Sequence, residues 1–376
     1  MQANGHPLLC GPMSETRHYN FNPGPSTLPL QALKQAQAEL IDFQGSGMSI
    51  LEHSHRGKVY EAVHAEAIAL LTELYQIPDT HQVLFMQGGA SAQFALIPMN
   101  LRTDSHAGDY VITGSWSKKA LGEAKVVGQP HVAWDKEADA SYVRVPKSSE
   151  LSLSADAPYV HITTNNTIAG TQFHALPDTG KTPMVLDASS DVMSTPIDFT
   201  NVAMLYAGAQ KNLGPSGLTV VIIRKDQLER CRTEGVPKIF RYPEIAAANS
   251  LQNTIPTFAV YLIRNVLTWV KEQGGVAEMA KRNAAKAQRL YAAIEGSNGF
   301  YRCPVESDSR SYMNVVFRLP DEDAEKRFVA EATEAGLVGL KGHRSVGGIR
   351  ASLYNAMSME GVEKLVAFMA AFQAKA

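Results

Sequence analysis

The sequence predicts an α/β fold, with a large domain on a mainly parallel sheet followed by a smaller C-terminal α+β domain. Three observations carry this reading. Six short apolar runs lie between residues 82 and 224, with helical patterns between some of them. Each run is apolar throughout rather than alternating, as strands covered on both faces are. From about Thr257 the texture changes to two long helical patterns, and strands and helices then alternate to the end.

The elements follow in order. Residues 1–16, "MQANGHPLLCGPMSET", have no basic stretch ahead of an apolar core and read as a flexible tail rather than a secretion signal. The strands are "QVLFM" (82–86), "DYVITG" (109–114), "YVHIT" (159–163), "MVLDASS" (184–190), "AMLYAG" (203–208) and "TVVIIR" (219–224), all read as buried parallel strands. "WSKKALGEAKVV" (116–127) is a helix between two of them. Helical patterns over 257–273 and 275–295 open the second region; the first has an apolar stripe of Val260, Leu262, Ile263, Val266 and Leu267. A strand at 312–319, a helix near 321–336, a strand at 348–355 and a helix near 358–374 complete it. The division is a tail over 1–16, a large domain over 17–257 and a small domain over 258–376.

Composition excludes several classes. A chain of 376 residues, 45% hydrophobic, holds about two domains. A formal net charge of -2 gives no global basic field for nucleic acid. No stretch reaches the roughly 18 apolar residues of a membrane span; the most apolar helix is broken by Arg264 and Asn265. The cysteines, Cys10, Cys231 and Cys303, are odd in number and far apart. That pattern speaks against a disulfide framework and a metal site, and fits a reducing cytoplasm.

The chemistry-bearing residues sit at strand ends. Asp187 closes an apolar strand, where ligands of open α/β sheets bind; a helix-capping role is the alternative. Lys211, 24 residues later, follows another strand inside "AGAQKNLGPSG". Desolvation there lowers a lysine's pKa and makes the amine nucleophilic; alone, it also reads as an exposed loop charge. Together they meet the needs of pyridoxal phosphate, a Schiff-base lysine and an acid for the pyridine nitrogen. Gly88 and Gly89 let the backbone approach an anion, and Ala90, Ser91 and Ala92 open a helix whose free N–H groups suit a phosphate. Trp116 follows a strand and can stack on a flat ring or fill the core. His55 and Arg56, then His343, Arg344 and Arg350, are basic groups suited to carboxylate and phosphate, or to a solvated surface. "ALPDTGKT" (175–182) imitates a nucleotide P-loop, but Ala175 replaces its first glycine and it precedes a strand instead of following one. Gly214, Pro215 and Gly217 are read as shaping the loop that holds Lys211.

The string "YAGAQKNLGPSGLTVVI" resembles the lysine segment of the phosphoserine aminotransferase family, class V pyridoxal-phosphate enzymes. "FNPGPSTLP", "SHRGK", "NTIPTFAVY" and "GHRSVGGIRASLYNAM" share the resemblance, which spans nearly the whole chain after the tail. It implies the type I pyridoxal-phosphate aminotransferase fold and a homodimer with shared active sites. The implied reaction exchanges amino groups between O-phospho-L-serine plus 2-oxoglutarate and 3-phosphohydroxypyruvate plus L-glutamate, in serine biosynthesis. A further role on the phosphorylated hydroxythreonine of pyridoxine biosynthesis belongs to some members.

By motif, the resemblance makes Lys211 the Schiff-base lysine, Asp187 the pyridine-nitrogen partner and Trp116 the stacking ring. Thr167 bonds the cofactor's phenolic oxygen, and Ala90, Ser91 and Gln210 cradle its phosphate. Asn253 and Thr254 reach that phosphate from the partner subunit. His55, Arg56, His343, Arg344 and Arg350 form the substrate pocket, with Arg350 on the carboxylate. Some members carry Gly-Arg at Ala90-Ser91, and some a serine at Pro23. An alanine–glyoxylate type enzyme would not need the basic doublets, and a cysteine desulfurase would need a reactive loop cysteine. A cofactor-binding protein without catalysis is the non-enzymatic alternative, against which Lys211 and Asp187 stand together.

Overall fold

The computed structural model describes residues 17–137 and 141–375; the flexible tail expected over 1–16, with Cys10, lies outside the described residues. The first region contains β1 (Tyr19–Asn20), α1 (Leu30–Glu39), α2 (Lys58–Tyr75), β2 (His81–Gln87), α3 (Gly89–Leu101) and β3 (Asp109–Ile112). It continues with α4 (Ser115–Val127), β4 (His131–Asp135), β5 (Val160–Thr163), β6 (Met184–Asp187), β7 (Val202–Gly208) and β8 (Leu218–Arg224). Beyond these come α5 (Lys225–Glu229), α6 (Tyr242–Ala247), α7 (Thr257–Glu272), α8 (Gly275–Glu295) and β9 (Asn314–Phe317). The chain ends with α9 (Glu322–Glu334), β10 (Leu337–Val338), β11 (Ile349–Ser352) and α10 (Met359–Gln373).

Seven strands form one sheet in the order β2-β8-β7-β6-β5-β3-β4. β3, β5, β6 and β7 are buried at every position, which is why they read as unbroken apolar runs. β8 corrects the expectation of uniformly parallel strands, because it runs antiparallel to both β2 and β7. Only residues 209–217 join β7 to β8. A parallel return needs a crossover of about a dozen residues or more, so this short link turns the chain back. The link is the loop of Lys211. β4, at the sheet edge, was not expected: three of its five residues are exposed, so it lacks the apolar run of the inner strands.

Two large apolar cores result, beside a small third one that packs Tyr261 and Leu262 of α7 with Phe43 and Ile50. The sheet shares its core with Val260, Ile263 and Leu267 of α7, beneath the strands. A second core joins Ala287, Leu290 and Ile294 of α8 to Val315, Phe328, Ala351 and Leu365. The cores therefore change inside α8, not at the change of texture near residue 257. The start of the chain belongs to the second core too. β1 pairs in parallel with β10, and Phe21 is fully buried there.

The link from β2 to α3 places the helix start at the sheet's carboxyl edge. Gly88 and Gly89 have φ of +94° and +64°, a region that glycine enters without strain. A Cβ on Gly88 would lie 2.5 Å from the Cβ of Ala92. Gly88→Ala should therefore lower unfolding stability by about 1–3 kcal/mol, read from the urea midpoint. An unchanged midpoint would show that the turn re-forms without strain.

Candidate active site

The carboxyl ends of the parallel strands open on a cavity of about 530 Å³. Lys211, Asp187, Trp116, Thr167, Ala90, Ser91, Gln210, His343 and Arg350 all line it. Nine candidates scattered over 261 positions of sequence, residues 90 to 350, thus meet in one space.

Lys211 is fixed first through its backbone. Leu213 N and Gly214 N both donate to Ala209 O, at 3.1 and 2.8 Å, closing the loop behind it. Ser26 N donates to Gln210 O at 3.1 Å, and Ser26 Oγ donates to Lys211 O. Asn212 Nδ2 donates to Val192 O at 2.7 Å. The side chain then has one reach: Nζ donates to Thr167 Oγ1 at 2.8 Å and lies 5.5 Å from the centroid of the Trp116 ring. Burial, against the opposing pull of Asp187 and with a smaller push from Arg350, lowers its pKa to about 8. Around pH 8 about half of this amine is therefore uncharged, where an ordinary lysine stays almost wholly charged.

Two carboxyls lie behind it. Asp187 Oδ1 accepts from Ser189 N at 3.0 Å, and burial raises its pKa. Asp191 accepts from Thr164 Oγ1 at 2.6 Å and Gln172 Nε2 at 3.3 Å; burial, reinforced by Asp187, raises it to about 7. Neither makes an ion pair among the described residues. A buried carboxylate without a contacting cation is costly, and a protonated pyridine nitrogen is a group that relieves that cost.

The remaining surfaces have complementary chemistry. Ala90 and Ser91 stand in the first turn of α3, where backbone N–H groups have no helical partner. Trp116 is set by the start of α4: Ser117 Oγ accepts from Thr113 N at 3.0 Å and Gly114 N at 3.1 Å. Trp116 Nε1, Thr163 Oγ1 and Arg350 Nε are buried without a protein partner, and all three side chains line the cavity. Arg350 Nη1 donates to Thr167 O at 3.3 Å, and burial lowers its pKa. Burial also lowers the pKa of His343, as do Arg350 and Arg344 nearby, favouring the neutral ring. An acid, an amine, a flat ring and a helix start around one cavity fit pyridoxal phosphate.

The other candidates stand apart. Arg344 is exposed beside the cavity, next to His343. His55, Arg56, Asn253 and Thr254 do not line the cavity of their own chain. His55 Nδ1 and Thr254 Oγ1 are 3.2 Å apart, Arg56 is exposed, and Asn253 lines a separate apolar hollow with Ile239 and Phe240. Thr163 and Asp191 escaped sequence reasoning. Thr163 had the same signal as Asp187, a polar residue ending an apolar strand, and the two are register partners across β5 and β6. Cys231 and Cys303 are free and partly buried; burial pushes Cys231 up to about 12 and raises Cys303, opposite to the needs of a nucleophilic thiol.

The fold and the cavity define a pyridoxal-phosphate aminotransferase architecture, and the sequence profile of "Aminotransferase class-V" matches residues 18–365. The chain belongs to that family. Within it, the chain is 53% identical to the phosphoserine aminotransferase of Lysinibacillus sphaericus, covering 96% of this chain and 99% of that one. The solved phosphoserine aminotransferase of Bacillus circulans subsp. alkalophilus superposes with a TM-score of 0.93 at 51% identity, over 96% of this chain and 99% of that one. The structure of phosphoserine aminotransferase with pyridoxal phosphate bound, from Trichomonas vaginalis, gives 0.90 at 40% identity, over 94% and 100%.

The lowered Lys211 pKa has a direct readout in protein stripped of cofactor. Lowering favours the neutral amine, so its reductive methylation should level off once pH passes about 8. Exposed lysines should keep gaining reactivity toward about 10.4. Peptide mapping of Lys211 titrating with the exposed lysines would contradict the desolvation.

Proposed function

We propose that the chain binds pyridoxal 5'-phosphate and transfers amino groups between O-phospho-L-serine with 2-oxoglutarate and 3-phosphohydroxypyruvate with L-glutamate, a step of serine biosynthesis. The observation that carries the chemistry is the buried amine of Lys211, its pKa lowered, in the same cavity as the buried acid Asp187. When bound, pyridoxal phosphate supplies an aldehyde open to amines and a ring that takes up the electrons left as the substrate's α-proton departs.

The protein's part follows. Lys211 Nζ would hold the aldehyde of the cofactor, and as a free amine it would take and return the substrate's α-proton. Its bond to Thr167 keeps the amine on one side of the cavity. Asp187 would keep the ring nitrogen protonated, and Trp116 would stack on the ring. Ala90, Ser91 and Gln210 would hold the phosphate. Arg350 takes the substrate carboxylate, a bidentate pairing suited to its planar fork. His343 and Arg344 meet the substrate's own phosphate.

A homodimer completes the site in this reading. His55, Arg56, Asn253 and Thr254 lie together on the surface of one chain, outside its cavity. Ile41 is 86% exposed and Leu51 55% exposed along the segment that leads to His55, apolar surface suited to a partner. The partner subunit's His55 and Arg56 would then face the substrate phosphate. We place the enzyme in the cytoplasm, which the unpaired Cys231 and Cys303 support. Among the described residues no helix is long and apolar enough to cross a membrane.

Two measurements test this. Lys211→Ala should lose the yellow colour of the lysine-bound cofactor and fall in turnover by orders of magnitude. Arg56→Ala should lose most activity with phosphoserine. Mixed and re-annealed, the two inactive variants should recover activity, because one hybrid site carries both intact residues. No recovery would reject the shared site. In a substrate panel, O-phosphoserine should bleach the yellow colour at far lower concentration than serine or alanine, with phosphorylated hydroxythreonine also active. Equal response to alanine would favour an alanine-type enzyme.

A further inference from the structure

Loop 342–348, which carries His343 and Arg344, is gripped from behind by two residues with no role so far. Glu325, in the first turn of α9, is buried. Its Oε1 accepts from Arg318 Nε at 2.6 Å and from Leu319 N at 3.4 Å, and its Oε2 accepts from Gly348 N at 3.1 Å. Arg318 Nη1 in turn donates to Val346 O at 3.1 Å. One partner of the ion pair therefore holds a carbonyl of the loop, and the other holds an amide two residues on.

The loop's internal bonds converge on His343. Val346 N and Gly347 N both donate to His343 O, at 3.0 and 2.8 Å, and Gly342 N donates to Gly348 O at 2.9 Å. Gly348 has φ +72°, and a Cβ there would meet Arg318 Cδ at 2.7 Å and Phe317 O at 2.9 Å. The loop thus lies directly on the arginine stem. Arg350 is held differently: it sits in β11, opposite Val316 of β9, and keeps its register through the strand ladder. The grip governs His343 and Arg344 but not Arg350.

We infer that Glu325 and Arg318 are positioning residues that set recognition of the substrate's side-chain phosphate, separately from its α-carboxylate. This rests on the assignment of His343 and Arg344 to that phosphate. Loss of the grip leaves the carboxylate contact and the Lys211 chemistry in place, while the two basic residues lose their fixed distance from the phosphate.

The test uses the holoenzyme. Glu325→Gln keeps the size of the side chain but weakens its hold on Arg318. KM for O-phosphoserine should rise about tenfold, with kcat changed less than about twofold. The half-reaction with L-alanine, which has no side-chain anion, and the absorbance of the bound cofactor should stay as in the parent. Arg318→Gln should act alike, and the double variant should be no worse than the poorer single one, because both act through one grip. An unchanged phosphoserine KM, an equal loss with alanine, or effects that multiply in the double variant would each overturn the inference. Should Glu325→Gln fail to fold, Arg318→Gln carries the same comparison. A parent enzyme with no preference for phosphoserine over alanine would instead refute the proposed substrate, which the same data reveal.

Discussion

A buried charge has to be answered by another charge or by a change of protonation, and the cavity is built around that constraint. Lys211, Asp187 and Arg350 line one space, and Asp191 lies behind it, hydrogen-bonded to Thr164 and Gln172. The amine is answered by partial neutralisation and a hydroxyl, Thr167. The acids are answered by hydrogen bonds from Ser189, Thr164 and Gln172. Each group is satisfied enough to fold, and each is left in want of a charged partner. A phosphorylated pyridine aldehyde carries complementary features: a ring nitrogen that takes a proton, a carbon that takes an amine, and an anion for a helix start.

The sheet delivers these groups by one rule. Thr163, Asp187 and Lys211 lie at or just past the carboxyl ends of β5, β6 and β7, adjacent strands. The antiparallel β8 matters here. Because the chain turns back after β7, the link to β8 stays short and hydrogen-bonded at both ends, with Ala209 N on Leu218 O. A helical crossover at this point would have given the lysine a long connection instead. Gly214 lets that link pack against α7, where a Cβ would stand 2.9 Å from Ile263 Cγ1, and Gly217 turns it at φ +100°.

What the sequence made legible follows from the same physics. Strands buried on both faces announce themselves as apolar runs, and polar residues ending such runs are conspicuous; hence Asp187 and Lys211. The helix start at Ala90 and Ser91 was visible through its glycines. Strand direction was not, since an apolar run reads the same in both senses. Asp191 was hidden because its partners, Thr164 and Gln172, lie in another loop. Glu325 and Arg318 look like ordinary surface charges until β9 and α9 are packed. The His55–Thr254 contact joins positions 199 residues apart, beyond the reach of any local pattern.

The first residues of the described chain join the two cores across the site. Tyr19 N and Phe21 N bond to Gly336 O and Val338 O in the second core, at 2.9 and 2.8 Å. Ser26, five positions beyond Phe21, holds the carbonyls of Gln210 and Lys211. Tyr354 OH donates to Pro23 O at 2.7 Å midway between them. This stretch is a tie rod: one run of eight residues, from Tyr19 to Ser26, is bonded to β10 at one end and to the peptide group of Lys211 at the other, so the lysine's backbone takes its place from both cores.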